Sequence, residues 1–227
     1  MEAAHLVVLF RCGKHASVVW EAVARNYPGA ELVVWDESPT VHSSFLGRAQ
    51  HVTDAQAAVF VLRTLQPRTV HCFVCIGSPS KREELRQEVS GLFDGPLDVC
   101  DLQFPYAIHD RAYVSPSASV ARGCFIGVSA VVHTHARVGE FCVVNTLAVV
   151  EHDCCVGDYA TLGPGALACG SVRLGARVLV GAGATLRDNI AVARDVMIGM
   201  GAAVVRSIAT PGTVWVGVPA RQRAEPE

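Results

Sequence analysis

The chain has 227 residues and a formal net charge of -2. This length allows one large domain or two modest ones, and the lack of a basic excess argues against a nucleic-acid groove or an anionic membrane surface as partner. The longest apolar runs, such as LVVLF at 6–10, are far too short to cross a bilayer. Because the N-terminus lacks the basic start and cleavage site of a signal peptide, we expect a cytoplasmic protein.

Residues 1–103 alternate between predicted strands and predicted helices. Strands are predicted at 5–10, 30–36 and 69–77, and helices at 13–26, 53–65 and 78–93. The apolar face of the first helix is expected to hold Val18, Val19, Ala22 and Val23, and Thr53 is the expected cap of the second helix. Strands that alternate with helices favour a parallel sheet, so we expect a small Rossmann-like βαβαβ domain over 1–103.

Ligands of parallel sheets bind beyond the carboxyl ends of the strands, which here carry 11–15, 36–38 and 77–80. The first turn, RCGKH, holds a single glycine and lacks the GxGxxG fingerprint, so a dinucleotide cofactor is not expected. A helix N-terminus with Gly13, Lys14 and His15 could still hold phosphate oxygens through backbone N–H groups. Asp36 could accept a hydrogen bond from a sugar hydroxyl or a base, or it could be a turn residue at the strand end.

The chain contains nine cysteines, an odd number in a sequence without a secretion signal, so reduced thiols are expected. Cys72 and Cys75 form a CxxC pair inside the third predicted strand. A strand directs two side chains three residues apart to opposite faces, which argues against a metal or redox site there.

From Val114 to Val204 an aliphatic residue recurs every six residues without a slip, which makes sixteen hexads. The residue two positions earlier is nearly always small, and the residue just after is often glycine. This period is typical of a parallel β-helix, in which three hexads make one coil and residues 18 apart stack. We therefore expect about five coils in a second domain over 104–227.

Each repeat position has an expected role in the β-helix. The aliphatic residue points into the prism, the small residue fills the space beside it, and the glycine makes the turn. Cys124, Cys142 and Cys154 occupy the small interior position, where a free thiol packs as a compact apolar group. The handedness of the coil does not follow from this pattern, because the usual crossover rule favours right-handed connections.

Four motifs carry a resemblance to a known family over nearly the whole chain. They are IGSPSKREEL at 76–85, VSPSASV at 114–120, NTLAVVEHDCCVG at 145–157 and VGVPAR at 216–221. The chain resembles the sialic-acid-type sugar O-acyltransferase family, and most of all its members that acetylate nucleotide-linked 4-amino-4,6-dideoxy sugars in bacillosamine and perosamine synthesis. The resemblance implies a left-handed β-helix, a homotrimer, acetyl-CoA as donor, and a nucleotide sugar bound between the N-terminal domain and the coils, near a neighbouring subunit.

The resemblance also assigns roles around His152. This residue corresponds to the general base, and an imidazole with an ordinary pKa near 6.5 can take the proton of an attacking amine at neutral pH. Asp153 is expected to orient the ring, with Glu151 as the competing acid. Gly170, one coil above His152, corresponds to the residue whose N–H holds the thioester oxygen, although it could be a simple turn glycine.

Further positions match the substrate-binding residues of the family. Asn145 corresponds to a residue near the acceptor sugar, and Thr161 stands where the family has a second histidine. The expected contacts to the sugar or its phosphates are Gly13, His15, Asp36, Gly77 and Ser78. The expected contacts to coenzyme A are Gly170, Gly181, Ala182 and Met200, the last two where relatives lay the pantetheine arm.

The amine is expected to attack the thioester directly, since Cys154 and Cys169 are interpreted as packing residues and no metal is expected.

A hexapeptide-fold carbonic anhydrase would need three zinc-binding histidines, for which His133, His135 and His152 are candidates, but the required ligand spacing is absent. A non-catalytic trimeric ligand-binding protein and a sialic-acid-type sugar O-acetyltransferase stay open as alternatives. The sequence does not identify the sugar, the amine position, the acyl length or the nucleotide, which could be UDP, GDP or dTDP.

Overall fold

The structure is a computed structural model that describes residues 6–10, 14–37, 49–65, 67, 69–93 and 101–223. Gly13, one of the predicted substrate contacts, lies outside these residues. Contacts divide the chain into two compact units. The first unit holds the described residues up to Gly77 and within Lys81–Ala107, and the second holds Ser78–Ser80 and the residues from Ile108 onward. No helix in the described part of the chain is long and apolar enough to cross a membrane.

The first unit contains a five-stranded parallel sheet with the order β3-β2-β1-β4-β5. Its elements are β1 (Leu6–Phe10), α1 (Lys14–Val23), a short 3-10 helix (Ala24–Asn26), β2 (Glu31–Trp35), β3 (Gln50–Val52), α2 (Ala55–Leu65), β4 (Thr69–Val74), α3 (Pro79–Phe93) and β5 (Asp101–Gln103). Every residue of β1 is buried, as expected for a central parallel strand. The edge strands β3 and β5 were not predicted, because three polar-rich residues carry no alternating apolar signal.

Two details of the predicted helices are wrong. Val18 is exposed, because the buried side of α1 runs through Ala16, Val19 and Val23, a spacing of three and four residues. The cap of α2 is Asp54, whose carboxylate accepts the N–H of Ala57 at 2.8 Å, and not Thr53. An aspartate accepts this bond as well as a threonine does, so the sequence alone does not distinguish neighbouring caps.

The CxxC pair belongs to the core of the first unit. Cys72 lies in β4 and Cys75 directly follows it, and both side chains are buried free thiols. Burial raises the pKa of the Cys72 thiol to about 12, so this group stays protonated at neutral pH. The Cys75 thiol donates to the carbonyl oxygen of Phe73 at 3.3 Å. Both cysteines therefore act as packing residues.

The second unit is a parallel β-helix with three faces. The first face contains β6 (Ala107–Ile108), β9 (Phe125–Ile126), β12 (Val143–Val144), β15 (Thr161–Leu162), β18 (Leu179–Val180), β21 (Met197–Ile198), β23 (Val214–Val216) and β24 (Arg221–Gln222). The second contains β7 (Tyr113–Val114), β10 (Val131–Val132), β13 (Val149–Val150), β16 (Leu167–Ala168), β19 (Thr185–Leu186) and β22 (Ala203–Val204). The third contains β8 (Ser119–Val120), β11 (Arg137–Val138), β14 (Cys155–Val156), β17 (Arg173–Leu174) and β20 (Ala191–Val192).

The predicted stacking of residues 18 apart is confirmed by the strand register. On the second face, for example, Val132 pairs with Val150, which pairs with Ala168. The interior aliphatic and small residues form one continuous buried core along the coils. The three interior cysteines are part of it, and the thiol of Cys124 donates to a carbonyl oxygen fifteen residues further on, that of Gly139, at 2.9 Å.

The β-helix extends beyond the predicted repeats at both ends. It begins one hexad earlier than predicted, with Ile108 packed against the core. After Val204 the six-residue step fails, because Ile208 bridges to Val192 and Trp215 pairs with Ile198. The last coil is thus closed by residues that the six-residue period does not identify.

The predicted role of the repeat glycines is wrong. The left-handed turn conformation, with φ between 53° and 70°, falls three residues after the interior aliphatic residue in every repeat from Val120 to Ile198, at Asp153 and Asn189 for example. Glycines just after the aliphatic residue serve a different purpose, since a Cβ on Gly157 would lie 2.7 Å from the backbone nitrogen of Ala176. Glycine is needed there because successive coils approach closely, and asparagine or aspartate can make the turn.

We expect Gly157→Ala to destabilise the β-helix by about 1–3 kcal/mol, because the new methyl group would overlap the backbone of the next coil. Gly183→Asn is the matched control, since Gly183 has φ 66°, no atom lies within 4 Å of its Cβ direction, and asparagine tolerates this conformation. Chemical denaturation followed by circular dichroism measures both. Equal stability losses in the two variants would contradict the close-approach explanation.

Candidate active site

His152 and Asp153 are the two turn residues between β13 and β14, at the corner where the second face meets the third. Asp153 takes the left-handed conformation with φ 60°, which aspartate tolerates better than most residues. Its N–H donates to the carbonyl oxygen of Thr134 on the coil below, and the His152 carbonyl accepts the N–H of Ser171 on the coil above, at 3.0 and 2.9 Å. Backbone bonds on both sides therefore fix this turn.

The side chains of His152 and Asp153 form a pair at the surface. The imidazole Nδ1 lies 2.9 Å from Asp153 Oδ2, and each side chain is more than half exposed. The hydrogen bond to Asp153, together with the charges of Asp153 and Glu151, raises the pKa of His152 above 6.5. A neutral ring that donates its Nδ1 proton to the carboxylate leaves the Nε2 lone pair free to accept a proton.

Glu151, the other acid that the sequence left as a partner of the ring, has a different contact. Its Oε2 accepts the backbone N–H of His152 at 3.2 Å. Of the two carboxylates, Asp153 is thus the one that contacts the imidazole. Glu151 contributes to the field around His152 only through its charge.

Gly170 occupies the first turn position one coil above, directly against the ring. A Cβ at Gly170 would lie 2.6 Å from both Cε1 and Nε2 of His152. The positive φ of this turn belongs to Ser171, so the turn itself does not require glycine at 170. Glycine is present because the imidazole lies where a side chain would otherwise be.

Gly170, the residue that lies against Nε2, has a backbone N–H that no acceptor among the described residues uses. In the same column, the N–H of Thr134 is bonded by the His133 ring at 2.8 Å, and the N–H of His152 by Glu151. Within the described residues, the N–H of Gly170 has no such acceptor. This corner therefore places a proton acceptor and an unused hydrogen-bond donor side by side.

Three of the four predicted coenzyme A contacts lie at a different corner, between the first and second faces, and only Gly170 lies at the His152 corner. Gly181, Ala182 and Met200 are found there. Asn145, a predicted contact to the acceptor sugar, lies at the same corner, and its side-chain Oδ1 accepts the backbone N–H of Thr146 at 2.8 Å. Met200 is 82% exposed, and a Cβ on Gly181 would lie 2.6 Å from its nitrogen. Within one chain, the structure does not bring this corner together with His152.

Thr161 is the outward residue of β15 on the first face, in register with Val143. Its side chain is only 7% exposed, so little of it is open to solvent. It lies on the strand that leads from one corner to the next and not at the His152 corner. Its predicted contact with the acceptor stays a prediction.

In the first unit, His15, Asp36 and Gly77 lie beyond the carboxyl ends of the neighbouring strands β1, β2 and β4. Burial and the nearby Arg82 guanidinium lower the pKa of His15, which keeps this ring neutral at pH 7. The Asp36 backbone N–H donates to Val52, at 3.0 Å. These three residues therefore share one edge of the sheet, as the strand order predicts.

Arg82 is a residue that sequence reasoning missed. It is 1% exposed, and its guanidinium donates to the carbonyl oxygens of Ile76 and Gly77 at 2.7 and 3.2 Å. It therefore holds the turn that leads to Ser78 and α3. In the sequence, KREEL looks like an exposed charged helix, and nothing in that pattern marks one arginine as buried.

The other candidate groups form no metal or nucleophile centre in the described part of the chain. The His133 ring is bonded to the Thr134 N–H, and no group of three or more His, Cys, Asp or Glu residues is placed to hold a metal among the residues described. Burial raises the pKa of Cys154 to about 11 and also raises that of Cys169. Both thiols are protonated at neutral pH and therefore poor nucleophiles.

We expect Asp153→Asn to lower the pKa of His152, because the substitution removes the carboxylate that stabilises the imidazolium. Glu151→Gln should lower this pKa by less, since Glu151 does not contact the ring. Proton–nitrogen NMR titration of the imidazole measures both changes. An equal or larger fall of this pKa in Glu151→Gln would show that Glu151, and not Asp153, is the main acid that stabilises the imidazolium.

Comparison with solved structures gives matches over nearly the whole chain. Perosamine N-acetyltransferase from Caulobacter crescentus, a histidine-to-asparagine mutant in complex with CoA and GDP-perosamine, matches with a TM-score of 0.81, 29% identity and 98% of each chain covered. The acetyltransferase domain of PglB from Neisseria gonorrhoeae, in complex with acetyl coenzyme A, matches with a TM-score of 0.80 and 28% identity over 97% of this chain and 100% of that one. WeeI from Acinetobacter baumannii shares the fold at 18% identity, with a TM-score of 0.77 and 97% and 100% coverage.

No family profile matches the sequence, and no curated protein matches it either. The predicted fold, an α/β domain followed by a left-handed parallel β-helix, is confirmed. Acetyltransferase, the predicted enzyme class, is also the class of perosamine N-acetyltransferase and of the PglB domain. The predicted resemblance is confirmed as well: this chain is a structural relative of perosamine N-acetyltransferase and of the PglB acetyltransferase domain.

Proposed function

We propose that this protein is an acetyl-CoA-dependent N-acetyltransferase that acts on the amino group of a nucleotide-linked 4-amino-4,6-dideoxy sugar. One observation carries the proposal. The His152 imidazole is held by Asp153 through Nδ1, while its Nε2 lies against Gly170, whose N–H is unused. A proton acceptor beside a free backbone donor is the arrangement that acyl transfer from a thioester requires.

The reaction balances with these groups alone. The neutral amine attacks the thioester carbon and forms the C–N bond, while its proton passes to His152 Nε2. The carbonyl oxygen becomes an oxyanion, which the Gly170 N–H would stabilise by about 3 kcal/mol if aligned. The C–S bond then breaks, and the imidazolium returns the proton to the departing thiolate, which gives CoA and the N-acetyl sugar. The raised pKa of His152 favours the first proton transfer, because it makes the ring a stronger base.

The matched structures support both substrate classes. Perosamine N-acetyltransferase was crystallised with CoA and GDP-perosamine, and the PglB domain with acetyl coenzyme A. Two of the perosamine complexes carry a substituted histidine, by alanine in one and by asparagine in the other. The bound acetyl coenzyme A and GDP-perosamine belong to the classes of donor and acceptor that we propose for this protein.

The first unit supports a nucleotide-bearing acceptor. His15, Asp36 and Gly77 lie at the ligand-binding edge of its parallel sheet. A neutral His15 can both donate and accept a hydrogen bond, as a sugar hydroxyl requires. The Asp36 carboxylate is suited to accept hydrogen bonds from a ribose or a base.

A homotrimer is part of the proposal. The base corner with His152 and the coenzyme corner with Ala182 and Met200 are separated by the second face of one chain. A second copy could bring its base corner to the first copy's coenzyme corner. Exposed apolar side chains near that face, Leu147 at 61% and Tyr113 at 51%, support such packing.

The test is a screen of UDP-, GDP- and dTDP-linked amino sugars with acetyl-CoA, read by mass spectrometry. We expect the mass of one acetyl group to be added to at least one of them. Treatment with alkaline hydroxylamine then distinguishes the bond, since it releases an O-acetyl ester and leaves an amide intact. An ester product would replace N-acetylation by O-acetylation, and no product with any amino sugar would overturn the proposal.

His152→Asn should lower kcat by about 10²–10⁴-fold with a modest change in KM, because the variant loses the general base. His109→Asn is the matched control. Its Nδ1 also lies 2.9 Å from a neighbouring carboxylate, that of Asp110, but it belongs to the first coil, away from Gly170. Near-normal turnover in His152→Asn would remove this residue from the mechanism.

The pH dependence follows from the same pair. Because the base must be neutral and its pKa is raised, kcat/KM should fall with decreasing pH along a limb that lies above pH 6.5. In Asp153→Asn this limb should move to lower pH, as the imidazole pKa falls. Steady-state rates across the pH range, with His109→Asn as control, measure the shift.

Asp36→Ala should raise the KM for the nucleotide sugar and leave kcat and the KM for acetyl-CoA nearly unchanged. The reason is that Asp36 would contact the acceptor far from the reacting atoms. Glu37→Ala, the adjacent acid, is the control and should have little effect. An unchanged acceptor KM in Asp36→Ala would identify Asp36 as a turn residue only.

A further inference from the structure

A cavity of about 310 Å³ lies on the third face of the β-helix, directly beside the His152 turn. Two columns of residues on three successive coils line it: His135, Asp153 and Ser171 from the turns, and Arg137, Cys155 and Arg173 from the strands. Asp153 is the carboxylate that holds the His152 ring. The cavity therefore adjoins the candidate base without containing it.

Its two arginines have no carboxylate partner among the described residues. Arg137 contacts the Cys155 sulfur at 3.6 Å, and Arg173 makes no ion pair there. Two other arginines of the β-helix are paired with carboxylates, since Arg122 pairs with Glu140 and Arg177 binds both oxygens of Asp195. Unpaired guanidinium groups in a cavity are suited to bind an anion, because each presents a planar fork of donors.

The charge of the lining is positive. Arg137 and Arg173 oppose a single carboxylate, that of Asp153, which is already bonded to the imidazole. The two arginines flank Cys155 in register, two strand spacings apart, or about 10 Å along the axis. The Ser171 hydroxyl adds a further donor between them and the base. Two separated cations with a hydroxyl can hold an extended anion such as a diphosphate.

We propose that this cavity binds the phosphate groups of the acceptor nucleotide and so positions the sugar at His152. This inference rests on the proposed function, which places the acceptor amine at Nε2. In a nucleotide sugar the diphosphate is attached to the sugar ring itself, so it must lie close to the base. The phosphates of coenzyme A are separated from the thioester by the whole pantetheine arm, and they cannot lie as near.

The two arginines add a positive charge that neither His15 nor Arg82 supplies at the edge of the first unit. His15, at the end of β1, has a lowered pKa and is neutral at pH 7, so it cannot neutralise a diphosphate. Among the described residues at that edge, Arg82 is occupied with the carbonyl oxygens of Ile76 and Gly77. Arg137 and Arg173 are therefore better suited to this task than either of these two residues.

The first test measures binding of inorganic pyrophosphate to the full chain by calorimetry. Wild type should bind it, and the double variant Arg137→Gln/Arg173→Gln should bind it at least tenfold more weakly, because it loses charge-assisted hydrogen bonds. Arg122→Gln, which loses an exposed ion pair at another corner, should bind like wild type. Thermal unfolding verifies that all variants are folded. No binding by wild type, or equal binding by the double variant, would overturn the proposal.

The second test assigns the anion to one substrate. Each single variant, Arg137→Gln and Arg173→Gln, should raise the acceptor KM about tenfold and leave the acetyl-CoA KM within about twofold. Pyrophosphate should compete with the acceptor and not with acetyl-CoA. If only the acetyl-CoA KM rises, the cavity belongs to the donor and the proposal is wrong. If wild type acetylates no nucleotide sugar, the proposed function fails, while the pyrophosphate measurement still decides whether the cavity binds anions.

Discussion

The stacking of residues 18 apart is the constraint on which the rest of this structure depends. Parallel backbone hydrogen bonds lock each two-residue strand to the strands one coil above and below, so a side chain is placed relative to its column and not only to its neighbours in sequence. Interior aliphatic residues make this arrangement stable, because they form one continuous apolar core. The outer positions are then free to carry chemistry on a rigid support.

The candidate site is formed by a few residues on adjacent coils of this rigid support. A backbone-bonded turn holds His152, the next residue in sequence orients its ring, and the next coil supplies an unused N–H because Gly170 has no side chain. Two arginines, two strands apart on the third face, add positive charge beside the same corner. None of these features requires a long loop or a moving segment. The precision comes from the spacing between coils, which the core determines.

The repeat made much of this structure predictable, and the exceptions have physical reasons. The six-residue period identified the β-helix and placed Gly170 above His152, since both follow from one regular step. It did not identify the turn positions, because several residue types adopt the left-handed conformation there. The buried Arg82 lies in a helix whose sequence looks exposed, so only tertiary contacts reveal it. The sequence places Arg137 and Arg173 in one column, because they are twice 18 residues apart. Whether a carboxylate pairs with either arginine depends on side-chain directions, which only the structure shows.

A solenoid of this kind also tolerates changes of length in a selective way. A whole coil could be added below Thr134 or above Met200, and the junction would still present matching strands to its neighbours. An added coil between His152 and Gly170 would preserve the architecture equally well, yet it would separate the imidazole from Gly170 by one further coil. We therefore expect added coils at the two ends of the β-helix and not between His152 and Gly170.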